Sequence, residues 1–322
     1  MHPRLDSFVS GGNVYNAKLL ECAGRSAFAL HSFAWHGVPP RGAWDLLVWD
    51  SLFMDRFERT GDERVALLLH YLPSLDPRLA SGARRMREAV EDRAMAQADF
   101  AIATGRCVAD TVSIRWPGKP VFVCEPGISE CFLRQRPGLA DASVKLLTVA
   151  NLWPSKGHVE LLEALLPLRD RPWHWHIAGD SGVSPETTSL LRERAASAGV
   201  TERVTFHGTL SQEVVAGLMA ASDVLACPST FEAYGMCVAE AVASGLPVVS
   251  NRVGAAAQLI SHGVTGFLIE PGHWDDFGRH LALLMENRTL LAAFRHNLRH
   301  ATVRRWEQTC ADFAAACDRM CR

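Results

Sequence analysis

Short apolar runs recur along the chain at Leu46–Trp49, Val65–Leu69, Phe100–Ala103, Val121–Cys124, Lys145–Ala150, His174–Ala178, Val204–His207, Val224–Cys227, Pro247–Ser250 and Gly266–Ile269. Most are near-continuously apolar rather than alternating, as strands are when helices cover both faces of a parallel sheet. Between them lie stretches with helical spacing, such as 158–167, 185–197 and 211–221. Strand–helix alternation of this kind predicts an α/β fold of doubly wound, Rossmann-like sheets. One alternating run, Trp173-His174-Trp175-His176, reads as strand packing.

The chain has 322 residues, enough for two domains. The polar, Pro-Gly-containing segment 133–144 separates two strand-rich blocks and predicts the boundary. The expected division is a domain over 1–140, a second over 141–300, and a helical tail over 301–322 with Trp306, Phe313 and Met320 as apolar anchors.

Charge narrows the classes of partner. With 33 basic and 35 acidic residues the formal net charge is -2, so no global field draws the chain to nucleic acid or to an anionic membrane. Arg84, Arg87 and Arg93 read as a solvated helix face, with contact to an acidic acceptor or to membrane head groups as the alternative. Cysteines number 9, with no CxxC pair, and are expected to be reduced thiols. No segment has the form of a signal peptide or a membrane span, and a cytoplasmic setting is expected. The histidines at 31 and 36 have no carboxylate nearby in sequence, and no metal site is expected.

Candidate chemistry concentrates in PSTFEAYGMCVAEAVASGLPVVSNRVG, residues 228–254. The run before it, VLAC, is a strand. Glu232 follows in the loop, and Gly235 stands where a helix begins. Ligands of open α/β sheets bind beyond the carboxyl ends of strands. A helix start there offers unpaired N–H groups and partial positive charge, suited to a diphosphate. Glu240, further along the helix, could accept hydrogens from the two hydroxyls of a ribose. A second cluster, VANLWPSKGHVELLEAL at 149–165, places Lys156-Gly157 at a strand-to-helix turn, where a lysine is a point charge for phosphate. Ser10-Gly11-Gly12-Asn13 before a helical stretch would let a ligand approach the backbone.

The spaced pair Glu232 and Glu240, inside its PS, G and SGLPVVS surroundings, resembles the donor signature of family-four (group 1) retaining glycosyltransferases. The resemblance runs over most of residues 10–285 and is strongest over 145–270. It implies a GT-B fold: two Rossmann-like domains facing a central cleft, the first on the acceptor side and the second holding a nucleotide diphosphate sugar. It implies that Glu232 contacts the donor sugar, Glu240 the ribose, and Ala233, Tyr234, Gly235 and Met236 the sugar and phosphates. Lys156, with Gly157, would hold the diphosphate; Asn151 stands where the family often has arginine. Gly11 and Gly12 match the loop that closes over the diphosphate, and His70, after VALLL, the histidine that donates to sugar or phosphate. The family's first strand normally precedes the glycine pair, yet PRLDSFV reads poorly as one, so that strand is expected to be very short or to lie upstream. HGTLS at 207–211 resembles the loop beside the base. Ala255 and Gln258 replace a glycine and a glutamate of the family.

The implied reaction is metal-independent transfer of a hexose-type sugar, with retention, from a UDP- or GDP-type donor to a hydroxyl of a carbohydrate, lipid-linked or small-molecule acceptor. Catalytic roles fall to Glu232, His70 and Lys156, with no further cofactor. Asn151 and the short N-terminal segment also admit a catalytically degenerate partner subunit, and the fold admits a sugar-nucleotide epimerase or a phosphorylase.

Overall fold

The computed structural model describes residues 10–23, 30–33, 44–59, 61–133 and 143–321. They form two compact units, one reaching to Gly127 and resumed from Arg304, the other Ile128–Val303. The segment weighed as a first strand, His36, and most of the expected boundary lie outside the described residues. Among those described, all ten expected strands are present.

The first unit opens with helix α1 (Gly11–Ala23) and continues through β1 (Leu46–Asp50), β2 (Arg64–Leu69), α2 (Ser81–Gln97), β3 (Phe100–Ala103), α3 (Arg106–Arg115) and β4 (Val121–Val123). Its four strands are parallel and adjacent in chain order. The paired glycines expected in a loop are the first residues of α1. Ser10 caps that helix, its Oγ accepting the Asn13 N–H at 3.2 Å. Glu91 of α2 is buried and accepts the Ser74 N–H at 2.9 Å; Arg115 of α3 closes an ion pair on it. Of the arginines on α2, Arg84 binds the Ser74 and Asp76 carbonyls, which ties it to the fold.

The second unit comprises β5 (Val144–Val149), α4 (His158–Leu165), β6 (Trp173–Ala178), α5 (Pro185–Ser197), β7 (Val204–Gly208), α6 (Gln212–Ala221), β8 (Val224–Cys227), α7 (Met236–Ala243), β9 (Val248–Asn251), α8 (Ala256–Leu259), β10 (Gly266–Ile269), α9 (Trp274–Glu286) and α10 (Arg288–Leu298). Its strands are all parallel, in the order β10-β9-β8-β5-β6-β7. Counted from β5 this is the doubly wound order 3-2-1-4-5-6, whose direction reverses between β5 and β8. Each face has its own apolar layer. Leu146, Trp173 and Trp175 pack with Leu161, Leu165, Leu191, Phe277 and Phe294 on one side. On the other, Leu147, Leu225 and Val248 pack with Met219, Val238, Ala241 and Val242. The alternating run in β6 divides accordingly: its tryptophans are buried, and its histidines are half-buried on the opposite face.

The last helix, α11 (Trp306–Cys321), belongs to the first unit rather than standing apart as a tail. Trp306 lies edge-on to Tyr15 of α1, and Thr309 Oγ1 donates to the Glu125 carbonyl at 2.7 Å. Apolar residues at helical spacing announce that a helix packs, not where. Among the described residues seven cysteines are free thiols, but Cys310 is disulfide-bonded, a departure from the uniformly reduced state expected.

Candidate functional site

Open sheets of this kind take ligands at the carboxyl ends of the strands flanking such a reversal, here β5 and β8, and the two strongest sequence clusters follow those strands. Helix α4 follows β5 through Gly157, and α7 follows β8 through Gly235. Both glycines are left-handed, and neither helix start has a side-chain cap. By contrast Ser184 and Ser211 cap α5 and α6. First-turn amides have no acceptor inside their own helix, so α4 and α7 present donors to an anion at the switch point.

The loop between β8 and α7 is held on both sides. From the β5 side, the Thr230 N–H donates to the Ser155 carbonyl at 2.8 Å. Gly157, at φ 73°, lies so close that an added Cβ would overlap the Pro228 carbonyl oxygen. From the β9 side, Asn251 Nδ2 donates to the Pro228 and Ser229 carbonyls at 2.9 and 3.1 Å. Gly254, at φ 55°, leaves room for the Tyr234 carbonyl, which accepts the Ala255 N–H at 2.7 Å. Both contacts need a residue without a side chain and tolerant of positive φ.

This clamp brings together two of the expected site residues. Lys156 Nζ lies 2.6 Å from Glu232 Oε1, with side chains 23% and 15% exposed. Burial alone would lower the lysine's pKa, but the charge and hydrogen bond of Glu232 outweigh it, and the pKa stands above its ordinary value. The ammonium is therefore charged at neutral pH, and its three hydrogens allow it to keep Glu232 and meet a second anion.

Glu240 of α7 is 8% exposed. Burial pushes its carboxyl up to about 7, with no other group contributing. An acid in that state is half ionised near neutrality. Tyr234 is buried, and Met236 packs against the apolar layer of that face. Asn151 Oδ1 accepts the Asp180 N–H at 2.8 Å, tying the turn after β5 to the turn after β6.

Gly11, Gly12 and His70 belong to the first unit. His70 follows β2, 8% exposed, and contacts Asp50 and Asn16. Ser155, Asn251 and Gly254 were not singled out from sequence. Asn251 carried a signal, a polar residue ending the apolar run VVS, and is fully buried. Among the described residues no three His, Cys, Asp or Glu side chains are grouped so as to hold a metal ion.

The fold has solved counterparts. Sucrose-phosphate synthase from Thermosynechococcus elongatus superposes with a TM-score of 0.68 at 19% identity, over 86% of this chain and 74% of that one. HepE of Anabaena, solved in complex with UDP and glucose, gives 0.66 at 22% identity, over 80% and 72%. At these identities the likeness establishes the fold, that of the GT-B glycosyltransferases, with two parallel-sheet domains. In sequence, the D-inositol 3-phosphate glycosyltransferase of Geodermatophilus obscurus is 30% identical over 249 residues, 72% of this chain and 55% of the relative. That of Actinosynnema mirum is 31% identical over 253 residues, 72% and 60%. The chain spans about half the length of the curated relatives it matches. Residues 131–301, the whole switch-point site included, match the profile described as Glycosyl transferases group 1, and the chain belongs to that family.

Proposed function

We propose that this chain is a retaining, metal-independent glycosyltransferase that moves a sugar from a nucleotide diphosphate sugar to an acceptor hydroxyl. The observation that carries the reading is the Lys156–Glu232 pair, held beside two uncapped helix starts at the switch point of the second unit. In this reading the diphosphate meets Lys156 and the α7 amides, Glu232 orients the donor sugar, and Glu240 receives the ribose hydroxyls. As the anomeric C–O bond breaks, its electron pair goes to the leaving diphosphate, where preorganised positive charge lowers the barrier. The acceptor oxygen bonds to the anomeric carbon on the face the diphosphate leaves, and its proton is released. A cation and helix dipoles supply the charge that a metal gives in other sites.

HepE was solved with UDP and with UDP-glucose, which supports a uridine donor over a guanosine one. The sequence relatives, named for D-inositol 3-phosphate, support a polyhydroxylated, phosphorylated small acceptor. The setting proposed is cytoplasmic, on the seven free thiols, and the Cys310 disulfide is the feature such a compartment must tolerate. No helix among the described residues is long and apolar enough to cross a membrane.

Calorimetric titration with UDP and GDP tests the reading. One nucleotide should bind, and Glu240→Ala should lose it; binding of neither refutes the donor site. The partner-subunit alternative is favoured by one observation: Asn151, where the family often has arginine, uses its side-chain oxygen on the Asp180 N–H. Nucleotide binding without sugar turnover would establish that alternative.

A further inference from the structure

Three buried polar side chains of the first unit meet at the carboxyl ends of β1 and β2. Asp50 ends β1 at 1% exposure, His70 follows β2 at 8%, and Asn16 of α1 is 5% exposed. Asn16 Nδ2 donates to Asp50 Oδ2 at 2.6 Å. With its NH2 on the carboxylate, the amide leaves Oδ1 facing the imidazole, 3.1 Å from His70 Nε2. The same Nε2 lies 3.3 Å from Asp50 Oδ2. One ring nitrogen therefore faces two oxygen acceptors.

The rest of the cluster keeps Asp50 an acceptor. The Leu52 N–H donates to Asp50 Oδ1 at 2.8 Å. Burial alone would raise the Asp50 carboxyl, but the charge and hydrogen bond of His70, with Leu52 and Asn16, hold it below its ordinary value. An ionised carboxylate and an amide oxygen have no hydrogen to give, so the hydrogen between them and the ring must sit on Nε2. The ring itself is fixed: the His70 N–H donates to Ser51 Oγ at 3.0 Å, Tyr15 packs edge-on at 5.3 Å, and a Cβ on Gly12 would stand 3.2 Å from the ring carbons. No described residue hydrogen-bonds Nδ1.

We infer that Asp50 and Asn16 are positioning residues that fix a hydrogen on His70 Nε2, so that the ring, when uncharged, meets substrate through Nδ1 as the acceptor of a hydroxyl hydrogen. The inference rests on the proposed function and sharpens it. His70, expected from sequence as a donor to sugar or phosphate, becomes a reader of sugar hydroxyls, because a phosphate oxygen has no hydrogen to offer Nδ1. Second contacts of this kind orient an imidazole and fix which nitrogen faces its ligand.

The test is long-range 15N–1H correlation of the full chain with labelled histidine at about pH 8, where an ordinary imidazole is neutral. His70→Gln assigns the signals. The expected pattern is a protonated Nε2 and a bare Nδ1; a protonated Nδ1 overturns the inference. Asp50→Asn replaces an acceptor by an amide that can donate, and should move His70 towards Nδ1–H. Sugar transfer should then fall roughly 10- to 100-fold, the range seen when metal-bound histidines lose such an orienting partner. Nucleotide affinity, set in the other unit, should stay within about twofold. An unchanged tautomer with unchanged turnover overturns the positioning role. Should Asp50→Asn fail to fold, Asn16→Ala, which keeps the carboxylate, tests the same loss, and the wild-type spectrum still decides the tautomer. A chain that binds neither UDP nor GDP overturns the transferase reading and with it the substrate side of this inference.

Discussion

If Glu240 receives the ribose as proposed, nucleotide binding has a pH signature with a calculable size. Its carboxyl is buried without a charged partner and stands at about 7. Its ionised fraction is then about 0.9 at pH 8 and about 0.1 at pH 6. A ribose diol donates two hydrogens and binds the ionised form, so nucleotide affinity should weaken about tenfold from pH 8 to pH 6, or about 1.4 kcal/mol. At pH 7 binding should release about half a proton, visible as a dependence of binding enthalpy on buffer ionisation heat. The terminal phosphate of the nucleotide also titrates near 6, so the deciding quantity is the difference between wild type and Glu240→Gln, which meet the same phosphate.

Stability moves the other way. The folded pKa lies above the unfolded one, about 4.3, so the native state binds the extra proton and stability falls as pH rises between the two values. The gap between them amounts to a cost of about 4 kcal/mol at most, felt in full above pH 8 and absent below pH 4. Glu240→Gln should therefore bind nucleotide poorly yet gain more resistance to urea over wild type at pH 8 than at pH 5. Equal pH slopes of affinity in the two proteins, or a variant less stable than wild type at pH 8, would refute the argument.

Three further outcomes follow from the same geometry. His158, the first residue of α4, is 1% exposed; burial, then the Lys156 charge, push its pKa down to about 3 against the opposing pull of the Ala150 backbone. Its folded pKa lies below the unfolded value, so stability is lost as pH falls below about 6.5, by about 2 kcal/mol at pH 5. His158→Phe, stacked on Trp175, should flatten urea midpoints over that range; an unaltered slope excludes this residue as the cause. Gly157→Ala forces an alanine into left-handed backbone against the Pro228 carbonyl and should cost about 2 kcal/mol or more in unfolding free energy, with donor affinity falling alongside. Lys156→Met should weaken a nucleoside diphosphate roughly tenfold or more while sparing the nucleoside, and equal losses for both would remove Lys156 from the phosphate site.

The parallel strands were legible because burial on both faces leaves the same mark at every position, as in FAIA and VLAC. The placement of the candidate cluster was legible because its strand, loop and helix are contiguous, which set Lys156 and Glu232 on turns before any contact was known. What sequence could not carry was adjacency between distant segments. The helix at 306–321 shows an apolar stripe, but the stripe does not say that Tyr15 and Glu125 lie against it. The clamp of Asn251 and Gly254 on the 228–235 loop depends on β9 lying beside β8. Yet a common mark joins the expected His70 to two residues overlooked, Asp50 and Asn251. Asp50 ends LLVW, His70 follows VALLL, and Asn251 ends VVS; each is a buried polar group where an apolar parallel strand gives out. A buried polar group at that point is costly unless it is hydrogen-bonded. Parallel sheets collect such groups along one edge, the edge where ligands bind. A polar residue terminating an apolar parallel strand thus points to the functional edge before its partner is known, and the tertiary fold adds the partner: Asn16 for Asp50, and the Pro228 carbonyl for Asn251.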